Sequence, residues 1–104
     1  MTTNPAVAIE IIDQLGGRMF LRMTGAKDMI AYPNGLKFRI PARMAKNGIN
    51  GMSIMLNGSD LYDVQFLKIN MTKQTHVIVS EHCDMFNDQL RELFERETGL
   101  YTHL

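Results

Sequence analysis

The 104 residues, 45% hydrophobic and 21% charged, fit one globular domain spanning 1–104. No apolar run reaches the ~20 residues that cross a bilayer, and the first residues lack the basic and apolar regions of a secretory signal. A single cysteine, Cys83, has no intramolecular partner, which suits a reducing compartment, and the net charge of zero hides a split of +6 over residues 16–73 against −4 over the last thirty.

Asn4-Pro5 reads as an N-cap with proline in the first helical turn, and Ala8, Ile11, Ile12 and Leu15 then mark one helical stripe. Gly16-Gly17 ends that helix. From Arg18 to Thr24 the period becomes two, which predicts a strand burying Met19, Leu21 and Met23 and exposing Arg18, Phe20 and Arg22. A short strand over Met29–Tyr32 follows. Pro33-Asn34-Gly35 then turns the chain into a strand with Leu36, Phe38 and Ile40 inward and Lys37 and Arg39 outward.

Ala42 to Gly51 reads as a basic, glycine-bearing loop with one helical turn. Met52, Ile54 and Leu56 then mark a strand that Asn57-Gly58-Ser59-Asp60 turns into another over Leu61–Ile69. A further strand is expected over Thr75–Ser80. The final helix is expected to start at an Asp84 N-cap, bury Phe86, Leu90, Leu93 and Phe94, and end at Gly99 with Leu100 folding back. The sum is an α+β domain: a mainly antiparallel sheet of five or six strands with an N-terminal and a C-terminal helix packed on it. No internal repeat is read from this pattern.

Ser80-Glu81-His82-Cys83-Asp84 is the one cluster with catalytic residue types. Neighbours in sequence rarely meet in nucleophile–base geometry, but a thiol beside a helix N-terminus would ionise more easily. His76, His82, Cys83 and Asp84 lack the spacing of a structural zinc site. Lys46-Asn47-Gly48-Ile49-Asn50-Gly51 is not a phosphate-binding loop of any recognised form. The expectation is a protein without catalytic residues, bound metal or cofactor.

Basic residues make the strongest candidate site. Arg18, Phe20 and Arg22 on one strand, with Lys37 and Arg39 on another and Arg43 and Lys46 in the loop, have the composition of a nucleic-acid surface. The cations would meet phosphate and Phe20 would stack on a base. The competing class is a protein interface, for which the nine methionines and any exposed apolar patch are suited, including a self-complementary face that closes a homo-oligomer.

The segments Phe20–Lys27, Leu36–Pro41, Lys46–Asn50, Leu61–Phe66 and Thr98–Leu104, taken in this order, resemble a family of small uncharacterised proteins encoded by tailed phages and prophages. The resemblance implies a phage origin and action in the cytoplasm of a bacterial host. It implies no reaction and assigns no residue a role. The leading expectation is a phage accessory protein that binds nucleic acid through a basic sheet face in replication, recombination or regulation. The alternative is a host-protein inhibitor or a homo-oligomeric phage component with no nucleic-acid role.

Overall fold

A computed structural model describes residues 6–41 and 46–100. The expected cap at Asn4-Pro5 lies outside them, as does Arg43. Helix α1, Ala6–Leu15, buries Ala8, Ile11 and Leu15, whose spacings of three and four place them on one stripe. Gly16, at φ 128°, then bends the chain into a second helix, α2, Gly17–Thr24.

That helix corrects the first expected strand. Eight residues are too few to separate a period of two from one of 3.6. Phe20 and Thr24, four apart, are the pair that α2 buries, while Arg18 and Arg22 face solvent. Gly25 caps the helix in the left-handed conformation, φ 69°, and its N–H reaches the Leu21 carbonyl at 3.1 Å.

The sheet is a five-stranded antiparallel meander: β1 Lys27–Tyr32, β2 Gly35–Arg39, β3 Gly51–Leu56, β4 Tyr62–Asn70 and β5 Thr75–Met85 lie side by side in that order. Register separates its faces. Phe38, Met52, Phe66 and Ser80 stand in one cross-strand row, and Leu36, Ile54, Val64 and His82 in another. These rows face the helices. Lys37, Ser53, Gln65 and Glu81 form an alternate row on the opposite, outer face.

Helix α3, Leu90–Thr98, completes the helical layer and is entered through a 3-10 turn, Asn87–Gln89. The expected N-cap at Asp84 is corrected here: β5 continues through Met85, and Asp84 sits within it at φ 57°. Phe86, expected in the core, is 56% exposed. Gly99 and the buried Leu100 end α3 as the sequence predicts.

The core lies between this layer and the inner sheet face. Phe20 meets Phe38 and Phe94 edge-to-face, with ring centroids 5.6 and 5.1 Å away. Burying such a ring contributes about 1.5–3 kcal/mol over leaving it exposed. Phe20 and Phe94 also open the same six-residue pattern, Phe-x-Arg-x-Thr-Gly, at the ends of α2 and α3. Thr24 and Thr98 each donate to the Phe carbonyl one turn back, at 2.7 Å, and each accepts the backbone N–H two residues on. This short repeat is present in the sequence and corrects the reading of none.

Candidate interaction surface

Phe20 is fully buried and holds the helices to the sheet, so it has no face to offer a base. This corrects its expected stacking role. The basic residues divide as well. Arg18 and Arg22 project from α2, on the helical side of the sheet, whereas Lys37 and Arg39 alternate with Phe38 and therefore point from the outer face. Lys46 begins a 3-10 turn, Lys46–Gly48, and its stem lies against Gly99 at the end of α3. Arg39 is also engaged: its Nη1 donates to Asp28 Oδ2 at 2.6 Å. The expected alignment of Arg18 and Arg22 with Lys37 and Arg39 on one sheet face does not occur.

The outer face has a feature that charge counting passes over. Ile30, Lys37, Arg39, Ile69 and Met71, with Asp28, line an open groove of about 420 Å³ whose walls are mainly apolar. Ile30 and Met71 are 50% and 56% exposed. Gly51 makes room for it, because the Ile69 side chain lies where a Cβ at that position would stand. The Asn50 side chain holds Ile69 in place by donating to its carbonyl at 2.9 Å and accepting its N–H at 2.6 Å. Asn50 thereby extends the pairing with β4 to the residue before β3 begins. The Lys37 ammonium has no ionic or hydrogen-bonded partner among the described residues, unlike the Arg39 guanidinium beside it.

The Ser80–Asp84 cluster separates across β5. Ser80 Oγ and His82 Nε2 both meet Glu97 Oε1 of α3, at 2.8 and 2.9 Å. The Ser80 hydroxyl bond, and after it the His82 bond, holds the Glu97 carboxyl below its ordinary range. Serine and histidine share one acceptor atom here, which is a clasp between β5 and α3 and not a nucleophile–base relay. Cys83 is exposed and lies in the strand, away from any helix N-terminus. Desolvation, then the carboxylates of Asp63, Glu81 and Asp84, push its thiol up, the opposite of activation. No three His, Cys, Asp or Glu side chains converge on a metal position among the described residues.

The other end of the sheet is closed by Asn57, whose Nδ2 donates to Asp63 and Asp84 and whose Oδ1 accepts Ser59 N–H. Searches of protein-family models, curated proteins and solved structures find no match to this chain. Sequence reading missed the groove because its walls come from β1, β2, the end of β4 and the β4–β5 turn. One local signal was available: Gly51 opens a strand where a side chain would be expected.

Proposed function

We propose that this protein works by binding another protein through the outer face of its sheet, without catalysis of its own. The observation that carries the reading is the groove: exposed Ile30 and Met71 and the underlying Ile69, beside the ammonium of Lys37, which is unpaired among the described residues. Such a combination suits a partner segment that presents an apolar side chain next to a carboxylate. The side chain would fill the groove and the carboxylate would neutralise Lys37, while Arg39 stays with Asp28. Resemblance to phage and prophage proteins makes a bacterial host lysate the place to seek that partner, as expected of a phage accessory protein.

A nucleic-acid role has less support, because Phe20 is in the core and the cations fall on two sides of the sheet. The two readings separate in one experiment. Wild-type protein used as bait should recover a discrete complex that Met71→Asp abolishes, and it should show no salt-sensitive affinity for a short oligonucleotide. Oligonucleotide binding that weakens steeply with added salt, with no complex recovered, would overturn the protein-binding reading.

A further inference from the structure

The two edges of the sheet are unequal. β1 is six residues long, Asp28 at φ 54° lies where its pairing with β2 breaks register, and Pro33 follows it directly. These are devices that blunt an edge. β5 has eleven residues, no lysine and no proline, and its outer edge pairs with no strand among the described residues. Every residue from Thr75 to Val79 is exposed, and Val77, Ile78 and Val79 set three β-branched apolar side chains there in succession. An edge of this length and composition is a template for another strand.

We propose that β5 pairs antiparallel with β5 of a second copy, joining two sheets into one of ten strands across a two-fold axis. The choice of occupant rests on self-complementarity. Val79 is an extra residue in β5, because Leu67 pairs with Ile78 and Phe66 with Ser80. The bulge reverses the alternation beyond it, so His76, Ile78 and Glu81 share the outer face and Val77, Ser80 and His82 the inner one. A two-fold pairing that matches faces over the whole of Thr75–His82 sets His76 opposite Glu81, Val77 opposite Ser80, and Ile78 opposite Val79.

Each imidazole then meets one carboxylate of the other copy, a pair that occurs twice by symmetry, and the apolar residues meet at the axis. The blunted β1 edges leave no second template, so the assembly closes as a dimer. This inference uses an edge and not the groove, and it stands or falls separately from the partner proposed above.

Sedimentation equilibrium of the full chain across a range of concentrations tests it. The expected result is a monomer–dimer equilibrium whose dissociation constant rises at least about tenfold in Val77→Lys, roughly 1.4 kcal/mol. His76→Glu should weaken the dimer, and adding Glu81→Lys should restore it, which reads the register itself. Circular dichroism and thermal unfolding establish that each variant is folded. A monomer at every concentration, an assembly larger than a dimer, or a dimer indifferent to Val77→Lys would overturn the proposal. Dimerisation by a wild-type protein that recovers no host complex would support the edge and count against the groove reading alone.

Discussion

Phe20 and Phe94 meet edge-to-face at 5.1 Å, and each ring begins the segment by which its helix ends. One contact therefore ties the two helices together above Phe38. Phe20→Ala should destabilise the protein by about 3–5 kcal/mol, through lost burial and the cavity left behind. Phe20→Leu should cost less. A double-mutant cycle with Phe94 in urea unfolding should return a coupling of about 0.5–1.5 kcal/mol.

Thr24 and Thr98 end α2 and α3 by the same device, a buried hydroxyl that serves the preceding turn and the following N–H. Thr24→Val and Thr98→Val keep the shape and lose those bonds. Each should cost about 1–3 kcal/mol, because the N–H of Ala26 or Leu100 loses its acceptor. Thr→Ser at either site should retain most of the stability in the same denaturant titration.

Acid should loosen the clasp between β5 and α3. The Glu97 carboxyl is held below its ordinary range by Ser80 and then His82, so the folded state binds this proton less readily than the unfolded chain. The stability it confers is present above the unfolded pKa of about 4.3 and is lost as pH falls through the folded value. Thermal unfolding from pH 6 to pH 3 should show a shallower fall in Glu97→Gln than in wild type. An identical pH profile would remove the clasp from the stability argument.

Asn50 supplies both hydrogen-bonding groups that Ile69 would otherwise lack toward β3. Asn50→Ala should cost about 1–3 kcal/mol. The loss should be local as well. Amide exchange at Ile69 should accelerate while that at Ile54 and Val64, in the middle of the sheet, stays close to the global rate.

The strands from Gly35 onward were legible because Leu36, Phe38 and Ile40, and then Met52 and Ile54, alternate with Lys37, Arg39 and Ser53, and these apolar residues are buried. Helix α2 was not, since Met19, Leu21 and Met23 mimic that alternation within eight residues. The Phe-x-Arg-x-Thr-Gly pattern shared with α3, and Gly25 as a cap, were the signals that would have separated helix from strand. β5 ran past its expected end because Asp84 tolerates a positive φ, so a bulge stood where a cap was read. The groove escaped for a different reason: strand patterns assign faces, but only register brings Ile30, Lys37 and Ile69 together.

The groove reading is tested most directly by comparing two charge reversals on opposite sides of the sheet. Lys37→Glu alters the groove rim, and Arg22→Glu alters the exposed face of α2. With each variant as bait in a host lysate, the expected result is loss of the wild-type complex with Lys37→Glu and its retention with Arg22→Glu. Retention with Lys37→Glu, or loss only with Arg22→Glu, would contradict a functional surface on the outer face of the sheet.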